Sequence, residues 1–317
     1  MSSITKHWSI AVALALLPVA TSVAQEYPNK PVRLIVPNSP GTTADVVARV
    51  MGPEMAKLLG QPMVVENKPG ADSIIGYEYV AKQAPADGYA VSVALVTSLA
   101  TLPILARDLR FDPLKDLPPV IGLAESRIYI GSSKSLPWSN FTGMIAYIKA
   151  NPGKMNYGSS SSNVRLWTES IVRSLDLKGV HVGYSGGAQY LTAMATGELY
   201  MGFLTEASLN TLIDRVNILA VTGAQRNPKL PNVPTFREVG QPQIGGIQYS
   251  FNVRAGTPKA AIDKLYATAA AALKVPETVE RFSNIQFEIV AEPPGPAARR
   301  LEDEARSYAE VARKANM

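Results

Sequence analysis

Short β-branched apolar runs alternate along this chain with stripes at helical spacing, and small polar loops separate them. Residues 32–36 (Val-Arg-Leu-Ile-Val) read as a buried strand and 37–41 (Pro-Asn-Ser-Pro-Gly) as a turn. Thr42 or Thr43 then caps a helix whose stripe is Val46, Val47, Val50 and Met51. Asp45 falls in its first turn, and Arg49, four residues on, is placed to pair with it on the exposed side. Gly52-Pro53 predicts a kink in this helix. The succession recurs: a strand at 63–67, a loop at 68–73 with Asp72 or Ser73 as cap, and a helix from Ile74 that ends before Pro85. A third strand at 89–96 leads into a loop at 97–101 that holds Ser98. Three strands joined by helices predict a parallel sheet with right-handed crossovers, and this puts all three polar loops on the ligand-binding edge of an open α/β sheet.

The Pro- and Asp-rich stretch 111–127 reads as a linker, with the first crossing to a second lobe at 120–122. Beyond it lie strands at 128–131, 154–158, 180–182, 199–204 and 216–222 and helices at 140–150, 166–175 and 188–196, which predict a second parallel sheet. Its loops include Ser159-Ser160-Ser161-Ser162-Asn163. A strand at 249–253 returns to the first lobe, and helices follow at 258–272, 276–282 and 294–315, with a strand at 287–290. A small polar loop that opens a helix leaves the first N–H groups free at the positive end of the helix dipole, so these loops suit an anion. The plainer alternative is a capped surface turn that holds nothing.

Residues 1–24 differ from the rest. Lys6 and His7 precede an apolar run at 8–20, and Ser22-Val23-Ala24 offers small residues to a signal peptidase. A cleaved Sec-type leader and a mature start at Gln25 are expected. The chain has no cysteine, which excludes disulfides, thiolate metal sites and Cys nucleophiles; export without disulfides fits a bacterial periplasm. Of two histidines only His181 follows the leader, so a multi-histidine metal site is excluded and no cofactor is expected. The net charge of +5 is scattered and shows no nucleic-acid footprint.

No Walker loop, dinucleotide fingerprint, G-x-S-x-G elbow or H-E-x-x-H is present. The serine run reads as a donor of hydrogen bonds to an anion or as a polar turn, and His181, in Gly-Val-His-Val, as a structural strand-end histidine. Two α/β lobes with hydroxyl- and Gly-rich loops suggest a carboxylate clamped between them.

Several short stretches stand together along the chain: Tyr27-Pro28 and 30–37, Pro40-Gly41, Asp45, Ala48-Arg49, 59–62 and 64–71. Further on come Asp87-Gly88-Tyr89, 151–154 with Tyr157, His181, Tyr184, 186–188, 219–222 and 230–235. In this order and spacing they make the chain resemble the TctC-type, or Bug-family, solute-binding receptors of tripartite tricarboxylate transporters. The resemblance implies an α/β type II periplasmic-binding-protein fold, with lobe 1 at 25–122 plus 247–317, lobe 2 at 123–246 and a twice-crossed hinge. It also implies a monomer that delivers a small-molecule carboxylate to membrane permease subunits, and is not an enzyme. Carried over residue by residue, it points to Asn38, Ser39, Gly41, Thr42, Thr43, Ala71, Asp72, Ser98, Ser160, Ser161 and Asn163 as ligand-binding residues, with Arg165 and Thr205 beside them.

The departures bear on the ligand. Pro40-Gly41-Thr42 replaces Pro-Gly-Gly, Gly70-Ala71-Asp72 replaces Gly-Ala-Gly, and a frequent histidine is Arg165. Leu204 stands where many relatives carry an acid facing an ammonium group, and Thr205-Glu206 follow it. A dicarboxylate without an amine is therefore expected, with aromatic examples such as terephthalate among the candidates. Arg165 is either an exposed helical arginine or a fork for a second carboxylate. Asp45 is expected to cap its helix or pair with Arg49 rather than touch ligand. Two rivals are a sensor that docks on a signalling kinase, and a hydrolase using Ser160 or Ser161, which the single histidine disfavours.

Overall fold

The computed structural model describes residues 27–315 except Arg107, Ala224 and Gln243; the expected leader and the mature start at Gln25 lie outside the described residues. The first half of the chain runs β1 (Val32–Val36), α1 (Thr43–Leu59), β2 (Met63–Asn67), α2 (Ile74–Glu78) continued by a π-helical turn (Tyr79–Gln83), β3 (Ala90–Leu95), α3 (Val96–Leu105), α4 (Pro113–Asp116) and β4 (Pro119–Ser126). It continues through β5 (Ile128–Ser133), α5 (Phe141–Ala150), β6 (Met155–Ser159), α6 (Ser162–Ser174), β7 (Gly179–Gly183), α7 (Gly187–Thr196), β8 (Gly202–Thr205), α8 (Glu206–Leu212) and β9 (Val216–Val221). The last part is β10 (Ile247–Asn252), α9 (Lys259–Ala272), α10 (Pro276–Asn284), β11 (Glu288–Glu292) and α11 (Pro294–Ala315).

A six-stranded sheet has the order β11-β4-β10-β3-β1-β2. β1 pairs in parallel with β2 and β3, so the segments that follow these three strands lie on one edge, as expected. The strand expected to return to the first lobe is β10, which pairs antiparallel with both β3 and β4. Val120, Ile121 and Gly122, expected at the crossing, lie inside β4, and the chain leaves this sheet at Arg127 and rejoins it at Ile247. The second sheet is not the parallel one expected: β5 sits between β8 and β9 and pairs antiparallel with both, while β6 and β7 form a separate parallel pair. The crossings explain both antiparallel insertions. β4 runs out toward the junction, so the strand that enters each sheet from the junction must run against its neighbours.

One local expectation also changes. The residues 97–101, expected as a loop, form the first turns of α3, because Leu99, Ala100 and Leu102 find buried places at helical spacing. α1 continues through Gly52-Pro53, with Met51 and Met55 buried on either side and Pro53 exposed.

The crossings pack on each other. A Cβ on Gly246 would lie 2.7 Å from the carbonyl oxygen of Ser126 and 3.3 Å from Thr222 Oγ1. Gly246→Ala should therefore destabilise the protein by about 1–3 kcal/mol through overpacking against backbone, read as a lower urea midpoint. An unchanged midpoint would mean that the two crossings separate freely.

Candidate ligand-binding site

Four helices begin at the junction of the sheets: α1 after β1, α3 after β3, α6 after β6 and α8 after β8. Each leaves unpaired N–H groups and positive dipole charge there. At α1, Thr42 is the N-cap but makes no side-chain cap; its Oγ1 donates to Ser39 O at 2.8 Å. Asp45 takes the loop instead, accepting from Gly41 N at 2.9 Å and Asn67 Nδ2 at 3.0 Å. Its carboxylate is buried rather than on the exposed side as expected, while its partner Arg49 reaches it from solvent at 2.9 and 3.0 Å. The Arg49 guanidinium and these N–H donors outweigh burial and hold Asp45 near pKa 2, well below the usual carboxylate. At α6, Ser161 Oγ accepts from Val164 N, and at α8 Thr205 and Ser208 form a capping box.

Between these helix ends lie two adjoining cavities that share Leu95, Thr205 and Ile247. The first, about 170 Å³, has a polar rim of Ser161, Asn163 and Thr97 over an apolar floor of Trp167, Phe203 and Leu204. The second, about 290 Å³, runs past Gly41, Thr43, Tyr249 and Glu206 to Phe287. The phenol of Tyr249 is hydrogen-bonded to Thr43 and pushed up to about 12 by burial. Among the described residues lining either cavity, Glu206 alone is charged; Tyr129 donates its phenol proton to Oε2 of this carboxylate and accepts from Asn227 Nδ2 at 2.7 Å.

Of the residues singled out from sequence, Gly41, Thr43, Ser161, Asn163 and Thr205 line these cavities. Asn38 stands behind them and ties two loops together, donating to Ser73 Oγ at 2.9 Å and accepting through its carbonyl from Asn67 Nδ2 at 3.0 Å. Ser39, Ala71 and Asp72 are exposed outside the lining, and Ala71, Asp72 and Ser73 hold consecutive left-handed φ values of 46, 52 and 76°. Ser98 and Ser160 are half-buried, and Thr42 faces its own loop; none of the three lines a cavity. Arg165 is exposed on α6, also outside the lining, and its charge acts on His181 and Tyr157. His181 bonds Ser159 Oγ at 2.9 Å, rather than Ser160 or Ser161, and burial and Arg165 lower its pKa.

Thr97, Trp167, Phe203, Tyr249 and Glu206 were not among the residues drawn from sequence. Trp167, Phe203 and Tyr249 carry the ordinary signature of core residues. Glu206 follows the position where an acid had been judged lost, and its place in the lining returns a carboxylate to the cleft.

A family profile described as "Tripartite tricarboxylate transporter family receptor" matches residues 47–317. A UPF0065 protein of Bordetella pertussis is 33% identical over 281 residues, covering 87% of this chain and 86% of its own. Among solved structures, Rpa4515 of R. palustris with adipate is 29% identical, with a TM-score of 0.71 over 92% of this chain and 99% of its own. MatC of Rhodopseudomonas palustris with bound malate is 25% identical, with a TM-score of 0.68 over 90% of this chain and 99% of its own. These likenesses bear out the expected fold, a type II periplasmic-binding-protein fold.

Proposed function

Because the chain belongs to the tripartite tricarboxylate transporter receptor family, a family of periplasmic solute-binding receptors and not of enzymes, we propose that it captures a dicarboxylate without an amine and hands it to the permease subunits of such a transporter. The observation that carries this reading is the cleft itself. Neutral donors at helix N-termini (Ser161, Asn163, Thr43 and Thr205) surround an apolar floor; the described lining residues include no cationic side chain and one carboxylate, Glu206, which the Tyr129 phenol already engages. Helix ends and hydroxyls neutralise a carboxylate without a salt bridge. The Trp167 and Phe203 rings, 5.4 Å apart between centroids, offer their surface to the ligand's carbon body, which favours an aromatic dicarboxylate such as terephthalate over a short polar one. Adipate and malate in the two relatives are both dicarboxylates.

The chain acts as an exported monomer after cleavage behind Ala24. Its two lobes are built on the six-stranded sheet and on the β5–β9 region, and they close about Arg127 and Gly246. A thermal-shift screen of terephthalate, adipate, malate and matched monocarboxylates tests the reading. A true ligand at about 100 times its dissociation constant should stabilise the fold by about 2.7 kcal/mol. Ser161→Ala and Asn163→Ala should each weaken that ligand by roughly 1–3 kcal/mol. Absence of any shift with every carboxylate would refute the proposal.

A further inference from the structure

Behind the first cavity lies a carboxyl group that the proposed function leaves unused. Thr97, which lines that cavity and is itself buried, holds its Oγ1 3.3 Å from Oε2 of Glu304 on α11. The same hydroxyl is hydrogen-bonded to Tyr308, and the Tyr308 phenol accepts from Trp167 Nε1, on the cavity floor, at 2.6 Å. Glu304 is thus one hydroxyl away from the space the ligand would fill, and is linked to Trp167 through Thr97 and Tyr308. Its other oxygen packs against Gly245, at the return crossing; a Cβ there would lie 3.3 Å from Oε1.

The charges around it do not balance. Among the described residues, Glu125 on β4 and Glu292 on β11 are its acidic neighbours, and Arg300 is the cation that acts on it. Arg300 already spends its donors elsewhere, at 3.1 Å from Glu125 and 3.1 Å from Glu292. α3 brings hydroxyls and no charged side chain. On α6, Glu169 pairs with Arg173, and Arg165 lies toward His181. On α4, Asp112 pairs with Lys115, and Asp116 with Lys82 from outside that helix. Among the described residues, three carboxyls therefore share one guanidinium, and the hydrogen bond found for the Glu304 carboxyl comes from the neutral hydroxyl of Thr97.

We propose that Glu304 is the proton-binding partner of the cleft: a carboxylate bound over Thr97 and Trp167 draws one proton from solvent onto Glu304, so that ligand and proton bind together. The inference rests on the cleft taking an anion. An ionised Glu304 would repel that anion through the cavity wall, and a neutral one donates its proton to the hydroxyl network instead. Burial already lifts its pKa to about 7, where a modest further rise on binding moves protons at neutral pH. His181 bonds Ser159 Oγ outside the cavity lining, and burial and Arg165 lower its pKa, away from neutral pH.

Calorimetry with adipate and with terephthalate, whose carboxyls stay ionised from about pH 6.5 to 8.5, tests the coupling. The wild-type protein should bind about tenfold more weakly near pH 8.5 than near pH 6.5. At about pH 7.5, titrations in two buffers of different ionisation enthalpy should show uptake of about half a proton per ligand. Glu304→Gln keeps a neutral partner for Thr97 and should bind at every pH with the affinity that the wild type shows at the acidic end of the range. Should that variant fail to fold, the wild-type buffer comparison decides alone. Binding with equal affinity at both pH values and no proton uptake overturns the coupling and leaves the carboxylate reading intact. Failure of both acids to bind even at the acidic end removes the carboxylate reading and this inference with it.

Discussion

Trp167→Ala is expected to cost about 3–5 kcal/mol of stability, the usual loss for a large aromatic removed from a packed interior, and to lower the melting temperature by roughly 10 °C. Trp167 is 4% exposed and tilts against Phe203, which in turn stacks on Phe236 at 6.0 Å. It is also where α6 joins α11, through the indole N–H that donates to Tyr308. The substitution leaves a void at the cavity floor and a buried phenol with one partner fewer. Ligand binding should fall with it, because the apolar surface for the ligand's carbon body is gone. Trp167→Phe separates the two contributions: an aromatic ring stays and the N–H is lost, so the expected cost is only about 1–2 kcal/mol. Equal losses for the two variants in urea denaturation would mean that the hydrogen bond to α11, not packing, holds this wall.

Asp45→Asn is the second large effect, and its size should depend on pH. The native carboxyl titrates near 2 against an ordinary 3.8, so its contribution is present above about pH 4 and is lost as pH falls from 4 toward 2. The shift corresponds to roughly 2 kcal/mol for this buried group. Arg49, more than half exposed, contributes a screened share of that figure. The asparagine variant should be about 2 kcal/mol less stable near pH 7 and indistinguishable from wild type near pH 2. Affinity should change less than stability, because Asp45 acts on the ligand only by holding Gly41 N–H and the loop in place. A stability gap of the same size at both pH values would assign the effect to packing rather than to charge.

The order of strands, loops and helices in the first lobe was legible because its signals are local. Val32–Val36, the Pro37–Gly41 turn and the Val46/Val47/Val50 stripe each occupy adjacent residues, and parallel pairing of β1 with β2 and β3 follows from helices too long for hairpins. Of the five cleft residues named in advance, Gly41, Thr43, Ser161 and Asn163 were legible as small or polar residues between a strand and a helix, whereas Thr205 came only from the family resemblance. The long helix 294–315 was also legible, opening at Pro294.

What the sequence left undecided depends on neighbours far along the chain. The direction of β5 and β10 follows from which lobe the chain arrives from, and no periodicity records that. Ser98 looked like a loop residue until Leu99 and Leu102 found buried places and drew the segment into α3. Trp167 and Phe203 look like core residues in any one-dimensional reading, and only the meeting of α6, β8 and α11 turns them into a cavity floor. Glu304 sits in a helix with many exposed charges; only the folding of α11 back across α3, some 207 residues from Thr97, half-buries it and sets it behind the first cavity. Apolar periodicity and turn chemistry are short-range properties and determine the elements, whereas desolvation and the pairing of charges depend on which distant surfaces meet, and these only the tertiary structure decided.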